Sequence, residues 1–252
     1  MVDERSGTDD LTRYQRHLSL DEIGMVGHET LRRARVAVVG VGGLGSPVAA
    51  YLAVAGVGEL RLIDDDTVEL SNLNRQLLHA TSDLGVTKTR SAARRLNDLN
   101  PECRLDLQPV RLQAGNADSL LAGCSLVVDC LDSFSSRRLL GEVCLRLKVP
   151  MIHGAVRGWE GRLTTIVPGR SPCLACWLPP GADEQKPPVL GVVPGVIGAL
   201  QATEAIRCLL RLEPLLTGTL LLYDGRTMMF RRCALEHRSD CPSCGQGGGK
   251  PT

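Results

Sequence analysis

Aromatic residues make up only 3% of this 252-residue chain, with two Trp, three Tyr and two Phe. A core of stacked rings is excluded, so Val, Leu, Ile and Ala must fill it. An excess of charge of either sign is also missing, with 29 Lys and Arg against 28 Asp and Glu. A protein that grips nucleic acid through a general positive field is therefore not expected. No uninterrupted apolar run reaches the about 18 residues that span a bilayer, so no membrane partner is expected. The first 30 residues carry no apolar core of a signal peptide, and the expected location is the cytoplasm. Thiols stay reduced there, so the ten cysteines are read as free, catalytic or metal-bound rather than as disulfides. Hydrophobic residues at 43% and charged residues at 23% are ordinary globular usage and exclude a disordered chain.

Turning to what is present, short β-branched runs alternate with helical patterns. Helices are expected over 11–22, 27–34, 44–55, 88–99, 116–121 and 133–147. Strands are expected over 35–40, 59–63, 104–110, 125–129 and 150–153. Such alternation predicts a parallel sheet covered on both faces, an α/β Rossmann-like doubly wound arrangement. The second half changes character. A strand over 162–167 is followed by a Pro- and Gly-rich stretch at 168–195 and a helix over 196–210. The segments 219–223 and 228–232 read as a terminal hairpin, so the last strands are expected to be antiparallel.

Gly40-Val-Gly42-Gly43-Leu-Gly45 satisfies G-x-G-x-x-G, and it follows an expected strand and opens an expected helix. That placement lets backbone approach phosphates at a helix N-terminus, where unpaired N–H groups favour anions. Asp64 ends the next strand 19 residues after Gly45, where an acid accepts hydrogen bonds from a ribose. A tight turn without a ligand is the plain alternative. The fingerprint by itself suggests NAD, but the following segment differs. Residues 64–76 place Asp64, Asp66, Ser71, Asn72, Arg75 and Gln76 directly after a strand end, and Lys88 opens a helix. Arg75 and Lys88 suit a triphosphate, Arg as a planar fork and Lys as a point charge. Asp132 follows another strand end and suits magnesium, a hard cation that takes oxygen ligands. Equally, Lys88 could be a solvated helix face and Asp132 a helix cap.

Cys173-Leu-Ala-Cys176 and Cys241-Pro-Ser-Cys244 are two Cys-x-x-Cys knuckles. Together they make a tetrahedral thiolate set that suits structural zinc. Two reduced cysteine pairs, or a redox Cys-x-x-Cys, are the alternatives.

The combination of Arg13-Tyr-Gln-Arg16, Val39-Gly-Val-Gly-Gly-Leu-Gly45-Ser-Pro, Ala55-Gly-Val-Gly58, Ser71-Asn-Leu-Asn-Arg75-Gln, Leu78-His79, Gly85-Val-Thr-Lys88 and Asn100-Pro101 resembles the ThiF/MoeB/HesA family. These are relatives of ubiquitin-activating enzymes, and the pattern is closest to the MoeB branch. The resemblance covers 11–245. It implies one domain, with a nucleotide-binding half at 11–153 and a carrier-binding and zinc half at 154–245, flanked by flexible tails at 1–10 and 246–252. It implies ATP as the nucleotide, with Gly40, Gly42, Gly43, Asp66, Ser71 and Gln76 lining the site and Asp64 on the ribose. Asn72, Arg75 and Lys88 match phosphate-binding positions, and Asp132 matches the magnesium-linked aspartate. Arg16 matches an arginine donated from the partner subunit, which implies a homodimer. The split zinc arrangement of Cys173, Cys176, Cys241 and Cys244 is likewise a family feature. The implied reaction adenylates the C-terminal glycine carboxylate of a small ubiquitin-like sulfur-carrier protein ending in Gly-Gly, in preparation for a thiocarboxylate, with a sulfur donor protein as a further partner.

The sequence also departs from the family pattern. No cysteine lies between Cys176 and Cys208, and Pro187 stands about where a crossover-loop thiol is expected. Activation is therefore expected to stop at the adenylate, without a thioester step. Ser133 replaces the usual Asn after Asp132, although Arg137 is kept. These departures keep a second reading open, adenylation of a peptide C-terminus in natural-product biosynthesis. Two further readings are an NAD-dependent oxidoreductase using His153, and a non-catalytic, zinc-stabilised carrier-binding protein.

Overall fold

Val36 and Val38 enter one apolar core while Ala37 and Val39 enter another, and none of the four is more than 1% exposed. A strand buried on both faces has no polar side to show, which is why the sequence here runs apolar without alternation. This strand, β1 (Arg35–Val39), is the centre of the computed structural model, which describes residues 8–178 and 188–245. The expected tail at 246–252 and the position of Pro187 lie outside the described residues. Parallel partners flank β1: β2 (Glu59–Ile63) on one side and β4 (Leu126–Asp129) on the other. Beyond β2 lies β3 (Arg104–Gln108), and beyond β4 lies β5 (Met151–Arg157), both parallel. Three antiparallel strands complete the eight-stranded sheet: β6 (Glu160–Ile166), β7 (Thr219–Asp224) and β8 (Met229–Ala234). The order β3-β2-β1-β4-β5-β6-β7-β8 makes the fold mostly parallel, doubly wound and Rossmann-like. Successive strands run outward from β1 in opposite directions, so a crevice opens at the carboxyl ends of β1 and β4.

Helices cover both faces. On one side lie α2 (Gly24–Arg33), α3 (Gly45–Val54), α4 (Lys88–Leu99) and α8 (Val192–Leu209). On the other lie α5 (Ala117–Leu121), α6 (Phe134–Leu147) and the short α7 (Leu174–Trp177). An N-terminal helix, α1 (Thr8–Leu18), is tied to the end of α4 by Arg13 to Leu99 O (2.8 Å). It starts three residues before the helix expected over 11–22 and ends at Leu18.

With few rings available, the layers close through small residues. A Cβ on Gly198 of α8 would lie 2.4 Å from Pro47 Cγ of α3. By length and composition α8 could cross a membrane. It lies instead on the sheet and buries Gln201, which donates to Asp129 O (2.8 Å), and Glu204, which accepts from Thr165 (2.8 Å).

The largest difference from expectation is at β5 and β6. The strands expected at 150–153 and 162–167 are longer and join as a hairpin in which Arg157 faces Glu160. The expected strands stop just short of Gly154 and start just after Gly161. Both glycines are strand positions where α8 comes close. A Cβ on Gly154 would lie 2.3 Å from Gln201 Cδ, and one on Gly161 would lie 2.2 Å from Ile197 Cγ1. Gly154→Ala is expected to lower unfolding free energy by about 1–3 kcal/mol, the usual cost of overpacking. Urea denaturation measures it, and an unchanged midpoint would contradict this packing. Helix α8 also starts before the expected residue 196, and it carries Pro194 in its first turn, where no intrahelical N–H is needed.

Candidate nucleotide site and four-cysteine cluster

The turn after β1 is shaped by steric need. Gly40 has φ +92°, and a Cβ there would sit 2.6 Å from Cys130 O of the neighbouring strand end. A Cβ on Gly45 would meet Gly40 O at 2.0 Å. These two glycines are required by the turn itself. Gly42 and Gly43 are placed differently, beside Gln76 and beside Pro194 and Arg75, respectively. Among the described residues, the N–H groups of Gly42 and Gly43 have no hydrogen-bond acceptor. Leu44, which precedes α3, supplies no side-chain cap. Unpaired N–H groups at a helix N-terminus are a ready anion site. Gln76, only 4% exposed, also leaves its Oε1 unpartnered beside this turn. The orphaned N–H groups suit a phosphate chain.

Asp64 reaches from the end of β2 to the same turn. Its Oδ2 accepts from Val41 N–H (2.7 Å) and its Oδ1 from Asp66 N–H (2.9 Å). Burial pushes the Asp64 carboxyl up, against Lys88 and these two N–H bonds. Each oxygen keeps a lone pair, so a ribose hydroxyl has an acceptor. Lys88, at the first turn of α4, is 7% exposed and bonds Asp66 (2.7 Å), whose side chain is 53% exposed. A buried ammonium held by a half-exposed acid is ready to exchange that partner for phosphate. The solvated-face reading of Lys88 is thereby excluded.

Asn72 and Ser71 serve their own loop. Asn72 Oδ1 accepts from Glu69 N–H (3.2 Å), and Ser71 Oγ donates to Glu69 (3.2 Å). Arg75 is steered by Ser71 O and Asn74 Oδ1, both at 2.9 Å, and its guanidinium bonds no other group among the described residues. Asp132 is exposed after β4. It is not the cap of α6, because Ser133 caps that helix by accepting from Ser136 N–H (3.2 Å). Capping therefore explains Ser133, and the Asp132 carboxylate is a hard oxygen donor of the kind that suits magnesium.

Arg16 is not joined to this group. It is exposed on α1, which is anchored at Leu99, the last residue of α4, whereas Lys88 is the first. Those ends are about 16 Å apart along the helix axis, beyond the reach of one arginine side chain.

The side chains that brace the strand ends escape a reading of the sequence. Asp129 Oδ2 bonds His153 Nδ1 (2.7 Å), and its Oδ1 accepts from Leu131 N–H (3.1 Å). Arg137 donates to Leu131 O. Leu131, one residue before Asp132, is thus held on both its N–H and C=O. His153 is fully buried, with its edge against Trp177 (5.6 Å between centroids). That position offers no acid–base group to a hydride acceptor, and the oxidoreductase reading loses its candidate. The only local signal was the end-of-strand placement of both residues, which face each other across β4 and β5.

Away from the crevice, Cys173, Cys176, Cys241 and Cys244 bring all four sulfurs within 4.8 Å of one another. Three sulfur pairs lie at 3.9, 3.6 and 3.3 Å. A zinc ion with bonds of about 2.3 Å has sulfurs about 3.8 Å apart, so the cluster fits a tetrahedral ion. Burial pushes the Cys173 thiol up. At Cys241 burial pushes the same way but is outweighed by N–H bonds from Cys244 and Ser243, leaving it near 6. Of the remaining cysteines, Cys233 is exposed on β8.

A family model, "ThiF family", matches residues 14–243. The chain belongs to the ThiF family. Within curated proteins, this ThiF chain is 43% identical over 244 residues to the "SAMP-activating enzyme E1" of Haloferax volcanii, covering 94% of this chain and 90% of that one. It is 40% identical to the "Sulfur carrier protein adenylyltransferase" of Thermus thermophilus, covering 94% and 92%. It is also 39% identical to the "Adenylyltransferase and sulfurtransferase MOCS3" of Drosophila sechellia, covering 96% of this chain but 54% of that longer protein. The MoeB-like pattern of the sequence agrees with these relatives. Among solved structures, E. coli MccB with MccA-N7isoASN superposes with a TM-score of 0.84 at 23% identity, covering 93% of this chain and 75% of that one. At that identity the likeness concerns the fold alone.

Proposed function

We propose that this ThiF-family protein uses ATP to adenylate the C-terminal glycine carboxylate of a small ubiquitin-like sulfur carrier ending in Gly-Gly. The observation that carries this reading is the agreement with a SAMP-activating enzyme and a sulfur carrier adenylyltransferase over at least nine-tenths of each chain. The crevice supports it with a matching set of groups.

A carboxylate oxygen of the carrier attacks the α-phosphorus, and the bond from that phosphorus to the bridging oxygen breaks. The products are an acyl-adenylate and pyrophosphate. A carboxylate is already nucleophilic at pH 7, so positioning and charge stabilisation must supply the rate. Gly42 and Gly43 N–H groups meet phosphate oxygens, Asp64 holds the ribose, and Lys88 and Arg75 neutralise charge on the phosphates. Asn72 acts through the shape of the loop that carries Arg75. Magnesium, held by Asp132, would supply further neutralising charge to the departing pyrophosphate.

The reaction stops at the adenylate. Two thiols could be suggested for a thioester, and both are poorly suited. Cys130 is buried and pushed well above the ordinary thiol range. Cys233 lies on β8, four strand spacings or roughly 19 Å from β4. Sulfur would then come from a separate donor protein. The four-thiolate cluster supports a reducing, cytoplasmic location.

A second copy of the chain completes the site. Arg16 has no reach to its own crevice, and beside it Leu20, Met25 and Val26 leave a patch 49%, 56% and 82% exposed. A homodimer through this corner covers the patch and brings Arg16 to the partner.

The test is ATP–pyrophosphate exchange with purified carrier. Exchange is expected only when a Gly-Gly-ending carrier is present. Binding of carrier with no exchange, for every such protein of the source genome, would leave the non-catalytic reading in its place. Exchange with short unrelated peptides alone would favour the natural-product reading.

A further inference from the structure

The peptide between Val41 and Gly42 sits at the centre of the Gly-rich turn, and side chains hold Val41 at both polar groups. Its N–H donates to Asp64 Oδ2 at 2.7 Å. Its C=O faces His79 Nε2 at 3.1 Å. A carbonyl can only accept, so Nε2 must carry a proton. In a planar trans peptide the C=O and the next N–H point in opposite directions. Anchoring Val41 O on buried His79 therefore turns the Gly42 N–H to the opposite side, and among the described residues it has no acceptor there.

Behind the ring, the other nitrogen meets a hydroxyl that can either donate or accept. His79 Nδ1 is 2.9 Å from Ser91 Oγ, which is 2.8 Å from Asp83 Oδ2. Asp83 is held ionised by Ser91, and, against burial, by Ala80 N–H and Arg94. Burial, with Lys88 reinforcing it and the Val41 bond and Asp83 opposing it, holds the ring below its ordinary pKa. The charged groups facing it are thus Lys88 and Asp83, with Arg94 on the other oxygen of Asp83. A neutral ring has one proton, and the Val41 carbonyl claims it at Nε2. Ser91 is the partner that can adapt, since a hydroxyl can turn its one proton toward Nδ1 or toward Asp83, whereas the Val41 carbonyl can only accept.

We propose that His79 is a positioning residue for the nucleotide site, held as the Nε2–H tautomer by the Val41 carbonyl, so that its bond to Val41 O aims the Gly42 N–H at the phosphates. This deepens the adenylyltransferase reading and rests on it. The family motif contains Leu78-His79, but the sequence alone assigns that histidine no role.

The experiment combines a spectrum with a binding series on the full chain. In ¹⁵N-histidine-labelled protein at pH 8, long-range proton–nitrogen correlations are expected to show His79 protonated at Nε2 only. Equilibrium binding of magnesium–ATP is expected to weaken about tenfold or more in His79→Ala, since misaimed donors lose most of their value. His79→Gln places an amide N–H where Nε2 was and should recover affinity to within about threefold, whereas His79→Asn is too short to reach Val41 and should not. A merely structural role would not separate Gln from Asn. Equal losses in those two variants, or an Nδ1–H tautomer in the wild type, overturn the proposal. If His79→Ala fails to fold, the Gln and Asn pair decides. If the wild type binds no magnesium–ATP, the nucleotide reading fails, and the spectrum still decides whether Nε2–H serves Val41.

Discussion

Arg16→Ala should reduce carrier-dependent exchange by about 10³-fold or more, the scale on which arginine fingers act, while thermal unfolding stays unchanged. The side chain is exposed, so its loss removes no buried contact. Asp132→Ala should likewise remove exchange, because Ser133 and not Asp132 caps α6. The two dead variants make a sharper test when combined. In a mixed dimer, the Arg16→Ala chain keeps its own Asp132 and receives an intact Arg16 from its partner. The other site lacks both groups. A freely exchanged equimolar mixture contains half mixed dimers, each with one competent site of two, so about a quarter of wild-type activity should return. Native mass spectrometry would establish that mixed dimers form. Mixed dimers without activity would show that Arg16 does not act across the interface.

Trans action is hard to read from sequence, and the reason applies to the rest of the site. The β1–turn–α3–β2 unit is legible because its signals are local: a β-branched run, spaced glycines, then Asp64 at the next strand end. The two Cys-x-x-Cys knuckles are legible because a thiolate pair at that spacing has few other uses. Distances between elements are not written locally. That α1, and Arg16 with it, is anchored through Arg13 at the Leu99 end of α4, away from its own Lys88, follows only once α1 is docked. The same holds for Asp129 with His153, which meet through strand register, and for His79, Ser91 and Asp83, which meet through the packing of α4. The expected strands stop just short of Gly154 and start just after Gly161, yet both are flat strand positions over which α8 must pass closely. A residue chosen for lack of volume and one chosen for backbone freedom look identical in one sequence.

Removing the four-cysteine cluster should have the second large effect, on stability rather than on nucleotide affinity. Cys173 precedes α7 and Cys176 lies within it, and Cys241 and Cys244 lie near the end of the described chain. The ion would therefore close a long loop across β7, β8 and α8. What it fixes is visible in the packing. Leu174 of α7 lies where a Cβ on Gly141 of α6 would meet it at 3.1 Å, and Trp177 packs its ring against buried His153. Without zinc, the four thiols lose the dication that offsets their mutual repulsion as thiolates. The cysteine core then retains only Leu145, Ala175 and Trp177 as apolar neighbours. Small zinc domains owe about 10–16 kcal/mol to the metal, but here the larger cores persist, so a loss of several kcal/mol is the reasonable scale. At about 2–4 °C per kcal/mol for a domain of this size, Cys241→Ser or exhaustive chelation should lower Tm by on the order of 10 °C. Magnesium–ATP affinity measured well below that Tm should stay near wild type, because the turn after β1 and the first turn of α4 pack on the opposite face of the sheet. Metal analysis should find one zinc per chain, falling as pH drops and protons compete for the sulfurs. Wild-type protein with no zinc, or a Cys241→Ser chain with unchanged Tm, would place the stability of this half in the sheet alone. Loss of ATP binding together with a normal Tm would mean that the two halves are coupled through Trp177, His153 and Asp129, a chain of contacts that runs from α7 to the end of β4.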